Sequence, residues 1–275
     1  MTPATTFDNY PVELMNNSPW PKNSPNTYTG WTMIGEGVRR SINTIAVQTV
    51  EALGVVDSYA YATEKLGLSL VPEDMAVSPL AMGGLTYGLS TVEMAAAFSA
   101  FANSGVYNSP KMYTEVRDSN GETVLKNEGE THVAMKETTA YLMTSMLQNA
   151  VSNGTGGAAR FSGMHIAGKT GTTNDNFDRY FVGYTPYYCA AVWVGYENNE
   201  RISYSVNPAA SLWRQVMEKV HADLPDKSFS RPSSGLTTVT VCADSGMLVT
   251  DACRADPRQN RVVQFEVAVG TEPQE

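Results

Sequence analysis

The sequence predicts an α+β fold, with helices packed on an antiparallel sheet and a small β appendage at the C-terminal end. Three observations predict it. Apolar residues recur at helical spacing in several stretches between residues 38 and 152. From residue 164 to 197 the period shortens to that of strands separated by turn residues. One more helical stretch starts near residue 207, and residues 236–275 return to strand-like patterning. Runs of helices followed by runs of strands favour this layering over a parallel sheet.

Residues 1–35 are rich in Pro, Asn, Ser and Thr and read as irregular structure laid over the core. Val38, Ile42, Ile45, Ala46, Thr49 and Leu53 then mark one helix, with Gly54 as its stop. A short helix runs from Asp57, a candidate N-cap, to Leu66, and Gly67 ends it. Ser90-Thr91-Val92-Glu93 is a capping box opening the helix Met94 to Asn103, which Gly105 closes. Residues 112–126 read as a hairpin turning at Asn120-Gly121. Lys136 to Ser152 is a third strong helix, with Ala140, Met143, Met146, Leu147, Ala150 and Val151 on one face. The Gly-rich loop Asn153-Gly154-Thr155-Gly156-Gly157 follows it.

Strands are expected at 164–172, 179–185 and 188–197, with turns at Asn174-Asp175-Asn176 and Thr185-Pro186. Asn207 and Pro208 open a last helix carrying Leu212, Val216 and Val220. The organisation is a main domain over 1–224, a polar linker over 225–235 and the appendage over 236–275.

The chain has 275 residues, 42% hydrophobic and 17% charged, which is globular composition. A net charge of −9 and a pI near 4.9 argue against a nucleic-acid partner and against docking on anionic lipid. No apolar run approaches the roughly 20 residues needed to span a bilayer; Cys189 to Tyr196 is strand-sized. Met1-Thr2-Pro3-Ala4 has neither a basic nor an apolar signal region, so no signal peptide is expected.

Of the three cysteines, Cys189 reads as a core residue. Cys242 and Cys253 flank the turn sequence Ala243-Asp244-Ser245-Gly246, and two readings stay open: a disulfide in an oxidising compartment, or two free thiols. Their spacing fits zinc poorly, and no metal or cofactor is expected. His132, His165 and His221 form no catalytic constellation, and His165, four residues before Lys169, reads as structural.

Two short motifs carry candidate chemistry: Ser41-Ile42-Asn43 and Lys169-Thr170-Gly171-Thr172-Thr173. Ser and Asn compete with the backbone inside a helix, so the first motif breaks a local rule. The second sets a cation, hydroxyls and an accessible backbone on a strand, which suits a ligand that adds as a strand and ends in a carboxylate. Gly163 to Thr170 also matches the P-loop pattern letter for letter. The context opposes that reading, because no buried strand precedes it and Gly171-Thr172-Thr173-Asn174 is a poor helix start.

These motifs and their flanks resemble the penicillin-binding protein and serine β-lactamase group, which shares Ser-x-x-Lys, Ser-x-Asn and Lys-Thr-Gly. Arg40-Ser41-Ile42-Asn43-Thr44-Ile45-Ala46 is similar to the second-motif helix, and Ala167-Gly168-Lys169-Thr170-Gly171-Thr172-Thr173 to the third-motif strand. Gly83 to Gly88, Glu93 to Phe98, Phe101 to Gly105, Asp178 to Pro186 and Val192 to Tyr196 resemble the transpeptidase domain of class A, bifunctional enzymes. The likeness covers about residues 1 to 223, and the tail from Val241 is also similar.

The resemblance implies a serine that attacks the penultimate D-Ala carbonyl of a peptidoglycan stem peptide and is acylated by β-lactams. It implies that Ser41 relays a proton, Asn43 binds the substrate amide and Lys169 supplies positive potential. Thr170 and Thr172 would bind the carboxylate, with Gly171 and Thr173 in the same strand, and the Thr172 N–H would form half of the oxyanion hole. It implies the extracytoplasmic face of the bacterial membrane, and reads Asn153-Gly154-Thr155 as a site-flanking loop rather than a glycosylation acceptor.

The sequence departs from the family in one respect: it contains no Ser-x-x-Lys. Thr123-Val124-Leu125-Lys126 fits the spacing with Thr, but on a hairpin strand. Thr2 to Asp8 resembles the segment just after the family's first motif, so the nucleophile is expected upstream of Met1, with the glycosyltransferase domain and membrane anchor. The 275-residue chain is then expected to be inactive alone, with apolar surface exposed where the first-motif helix and an N-terminal strand would pack. The alternatives are a non-catalytic stem-peptide or partner-binding relative, a β-lactamase-type hydrolase and a P-loop protein. No Glu stands out to activate a deacylating water for the hydrolase.

Overall fold

The structure, a computed structural model, describes residues 1–258 and 261–274. The first 33 residues form short strands rather than irregular structure: β1 (Thr6–Asn9), β2 (Glu13–Met15), β3 (Ser18–Trp20) and β4 (Gly30–Met33). β1 pairs with β4, and β2 with β3. Strands of three or four residues are too short to show a period among prolines and asparagines.

Helices α1 (Ile34–Arg40) and α2 (Asn43–Leu53) replace the single helix read over residues 38–53. Ser41 divides them, with φ 59° and ψ 54° in the left-handed region. Then come α3 (Val55–Ala60), a π turn over Tyr61–Lys65, α4 (Val77–Met82) and α5 (Thr91–Ala102). Helix α3 starts ahead of Asp57 because Gly54, at φ 97°, has already turned the chain. Ser90 caps α5 as its sequence predicts.

Strands β5 (Val106–Asn108) and β8 (Thr131–Val133) pair around the exposed hairpin β6 (Glu115–Arg117) and β7 (Thr123–Lys126). Helix α6 (Glu137–Asn153) leads to the central strands β9 (Ala167–Thr172), β10 (Arg179–Tyr184) and β11 (Cys189–Val194). Helix α7 (Pro208–Val220) opens at Asn207, whose side chain accepts from the Ala209 and Ala210 amides. The appendage holds β12 (Leu236–Cys242), α8 (Asp251–Arg254) and β13 (Val262–Ala268), and residues 259, 260 and 275 of its predicted span lie outside the described residues.

The central sheet is antiparallel, with β10 between β11 and β9. Alternation along β10 sends Phe181 to one face and Tyr184 to the other. Phe181 packs edge-on against Trp213 of α7, ring centres 5.2 Å apart, and Tyr184 packs with Leu147 of α6 and Phe98 of α5. Gly183 lets Phe181 and Trp213 close over the strand, since a Cβ there would sit 2.5 Å from the Phe181 ring. Helices therefore cover both faces, and truncating Trp213 would cost about 3–5 kcal/mol.

The appendage does not stand apart. Val239, Val241 and Val267 share one apolar cluster with Ala4 and Met33. His221 is buried and structural, bonded to Thr185 Oγ1 at 2.8 Å and to the Met217 carbonyl at 2.7 Å. No helix among the described residues is long and apolar enough to cross a membrane.

Candidate functional site

Lys169 sits in the middle of β9 opposite Val182, on the face that also holds Ala167 and Gly171. Its ammonium donates to Ser41 Oγ at 2.7 Å and to the Thr170 carbonyl at 3.1 Å. Thus two motifs 128 residues apart in sequence meet in one hydrogen bond. Burial disfavours the charged amine and lowers Lys169 to about 8.

The break between α1 and α2 is what aims Ser41. A left-handed non-glycine residue is disfavoured by about 1 kcal/mol or more and persists only where its surroundings fix it. Asn43 Nδ2 donates to the Lys22 carbonyl at 2.7 Å, and the Thr44 amide donates to Asn23 Oδ1 at 3.2 Å. Asn23 is itself buried, donating to Asn9 Oδ1 at 2.7 Å and to the Thr27 carbonyl at 2.9 Å. The segment between β3 and β4 thereby holds the start of α2.

A second link joins the motifs through the Gly-rich loop after α6. Arg39 donates to the Asn153 carbonyl, and the Thr155 amide donates back to the Arg39 carbonyl at 3.3 Å. Any Cβ on Gly154 would lie 2.1 Å from that carbonyl oxygen, so only glycine permits the approach. Thr170 Oγ1 then donates to Thr155 Oγ1 at 2.9 Å.

At the far end of β9, Thr172 is exposed and pairs in register with Arg179. Arg179 Nη1 donates to Thr172 Oγ1 at 3.2 Å, while its Nε is buried with no partner. Thr173 is committed to the turn, donating to Asp178 Oδ2 at 3.1 Å and accepting from the Asp178 amide at 2.8 Å. Trp193 Nε1 fixes Asp178 from β11 at 2.9 Å.

The sequence singled out Ser41, Asn43, Lys169 and the threonines, and the structure brings Ser41 and Lys169 together with Asn43 at the head of α2. It missed Asn23, Arg39 and Arg179, whose roles come from contacts distant in sequence, while Thr155 lies in the loop that the resemblance read as flanking the site. The P-loop pattern fails in space, because Lys169 is mid-strand and residues 174–176 form a single 3-10 turn. Thr123 and Lys126 lie on the exposed hairpin, bonded to Glu115 and Glu128. Cys242 and Cys253 are free thiols in this structure.

The family described as the penicillin binding protein transpeptidase domain matches residues 1–218. The chain belongs to the penicillin-binding protein transpeptidase family. It is 37% identical over 285 aligned positions to "Penicillin-binding protein 1A" of Clostridium botulinum, covering all of this chain and 34% of that protein. It is 32% identical to "Penicillin-binding protein 4" of Bacillus subtilis, covering 73% of this chain and 32% of the relative. The chain thus spans about a third of the length of these curated relatives.

Among solved structures, Penicillin-Binding Protein 1A from Haemophilus influenzae superposes with a TM-score of 0.78 at 20% identity, covering 100% of this chain and 46% of that one. The D,D-transpeptidase domain of a peptidoglycan glycosyltransferase from Eggerthella lenta gives 0.65 at 26% identity over 81% of this chain and 60% of that one. The α+β fold is therefore that of the transpeptidase family, whose reaction cross-links peptidoglycan. Within it, the Ser41-Ile42-Asn43 and Lys169-Thr170-Gly171 segments of this chain stand joined at 2.7 Å.

Proposed function

We propose that these residues form the Ser-x-Asn and Lys-Thr-Gly walls of a peptidoglycan D,D-transpeptidase site. The Lys169–Ser41 hydrogen bond carries the reading. Lys169 donates to Ser41 Oγ, so the serine's own proton points away from the lysine and is available to a substrate nitrogen. The nucleophile that this reading requires is the serine of a Ser-x-x-Lys segment, which these 275 residues do not contain.

Its Oγ bonds to the penultimate D-Ala carbonyl carbon, the C–N bond to the terminal D-Ala breaks, and Ser41 passes a proton to the leaving nitrogen. An amine from a second stem peptide then displaces the serine oxygen and closes the cross-link. A β-lactam would acylate the same serine. Asn43 orients the substrate amide, and Gly171 lets the peptide lie against β9. The Thr172 amide stabilises the oxyanion.

The terminal carboxylate is received by Thr172 and by Thr170, whose hydroxyl turns to it from Thr155. Thr172 accepts from Arg179, which leaves its own hydroxyl proton to donate. Arg179, with its unpartnered Nε, adds a guanidinium beside that carboxylate. The complete protein places this site on the extracytoplasmic face of the membrane, with the glycosyltransferase and anchor in its remaining length.

The 275-residue chain, having no Ser-x-x-Lys, is inert by itself toward penicillin and stem peptide. That same absence favours a second reading, a non-catalytic relative that binds stem peptide or a partner. A fluorescent penicillin distinguishes them when offered to this chain and to the product of the reading frame extended upstream. The transpeptidase reading expects label on a Ser-x-x-Lys serine of the longer product and none on the short chain. Label on the short chain refutes its inertness. An extended frame without the motif leaves the binding reading.

A further inference from the structure

Strand β12 ends at Cys242, and the chain reverses at once. The Gly246 amide donates to the Cys242 carbonyl at 2.8 Å, and the Cys242 amide to the Met247 carbonyl at 2.8 Å. Val241 bridges Leu248, and the Val249 amide returns to the Thr240 carbonyl at 3.1 Å. Helix α8 then carries Cys253 back beside the end of β12. Its thiol contacts Thr250 Oγ1 at 3.4 Å, and the Cys242 side chain is one of the groups acting on it.

The segment between the two cysteines grips the beginning of the chain. Thr6 Oγ1 donates to the Ser245 carbonyl at 2.9 Å. Gly246 lies against the Ala4 carbonyl, where a Cβ would come within 2.1 Å. Ala4 itself is fully buried in the cluster with Val241 and Val267.

We propose that Cys242 and Cys253 form a disulfide that closes this turn as a clasp on residues 2–6. The turn after β12 and the return of the Val249 amide to Thr240 lead the chain back along the strand that ends in Cys242 and straight into α8, which carries Cys253. The third cysteine is set apart: Cys189 donates to the Ala95 carbonyl at 3.3 Å, and burial pushes its thiol up to about 12. The Thr250 hydroxyl, backbone amides and the Cys242 thiol hold Cys253 below its ordinary value, which makes it the attacking group.

The oxidant is a small-molecule disulfide. The Cys253 thiolate attacks one of its sulfurs, breaking that S–S bond, forming a mixed disulfide and releasing one thiol. The Cys242 thiolate then attacks the Cys253 sulfur, forming the internal bond and releasing the second thiol. The two protein protons end on the two released thiols, and the two electrons reduce the oxidant.

The test uses the 275-residue chain treated with oxidised glutathione, then denatured and alkylated before mass spectrometry. Of its three cysteines, only Cys189 is expected to be alkylated, with a Cys242–Cys253 peptide pair lighter by two hydrogens. Closing a ring of about a dozen residues is expected to raise the thermal midpoint by roughly 5–10 °C. Reductant should reverse the rise, and the Cys253→Ser chain should not show it. Proteolysis within residues 1–9 is expected to slow only in the oxidised wild type. Three alkylated cysteines, or a glutathione adduct that never resolves, would overturn the disulfide. A cross-link that leaves both midpoint and N-terminal proteolysis unchanged would overturn the clasp.

Discussion

Helix α5 caps its own start, whereas helix α2 borrows its cap from a loop 21 residues away. In α5 the Glu93 amide donates to Ser90 Oγ at 3.2 Å, and the Ser90 amide donates back to Glu93 Oε2 at 3.0 Å. Burial opposes ionisation of Glu93, but hydrogen bonds from Ser90 and Ser69 overcome it and hold the carboxyl at about 2. In α2 the N-cap is Ile42, whose side chain has no polar atom to offer. Asn23 serves instead, anchored through Asn9, which also accepts from Thr44 Oγ1 at 2.6 Å. A self-capped start depends on four consecutive residues. A borrowed cap makes the position of Ser41 and Asn43 depend on the tertiary structure, and the strained backbone at Ser41 is kept where it meets Lys169.

The hardest test of this contrast is Asn23→Ala. It leaves the Thr44 amide and the Asn9 carboxamide short of partners in a buried place, with an expected loss of about 2–4 kcal/mol in denaturant unfolding. The loss should be local. Hydrogen exchange at Thr44 and Ile45 should accelerate while the first turn of α5 keeps its protection. Equal acceleration in both helices would remove the distinction between them.

Next in size is the pH response at Lys169. The folded lysine releases its proton near 8, whereas the unfolded chain holds it to 10.5. Between those values the unfolded state binds more protons, so stability rises with pH across that window. Measured against Lys169→Met, wild-type stability should gain on the order of 2 kcal/mol between the two pH values, after allowance for solvent access. The subtraction cancels the tyrosines and the other lysines, which titrate in both proteins. A constant difference would place Lys169 in contact with bulk water, unlike the enclosed junction described above.

Ser41→Ala and Ser41→Gly both delete the hydroxyl that Lys169 contacts, but they differ at the backbone. Glycine adopts the left-handed conformation without a Cβ penalty, so the glycine variant should be more stable than the alanine one by about 1 kcal/mol. Equal midpoints in urea would mean that the α1–α2 break is not held in the left-handed region in solution.

The same contrast explains what could be read from the sequence. Ser90-Thr91-Val92-Glu93 and Asn207-Pro208 announce their helices because the groups that pair lie within one turn. The three central strands show through their period, and Gly54 marks a real stop. Ser41-Ile42-Asn43 was noticed because it violates helical preference, but the left-handed break itself was hidden. That geometry is imposed by Asn23 and Lys169, which local patterning does not connect to Ser41. Arg179 was missed for the same reason: an arginine opening a strand has no local signature. The four N-terminal strands each pair over three or four positions, fewer than an alternating pattern needs to rise above its prolines.

The smallest effect completes the comparison from the other side. Ser90→Ala removes the acceptor for the Glu93 amide at an exposed helix start, where water can replace it, so the expected loss is about 0.5–1 kcal/mol. Glu93 keeps the Ser69 amide at 3.0 Å and the Ser90 backbone amide, so its carboxylate stays hydrogen-bonded. The consequence should end within the first turn of α5, leaving exchange at Thr44 and the pH response of Lys169 unchanged. If Ser90→Ala instead disturbed α2 as much as Asn23→Ala does, the two helix starts would be one cooperative unit, and the borrowed cap would have no separate hold on the site.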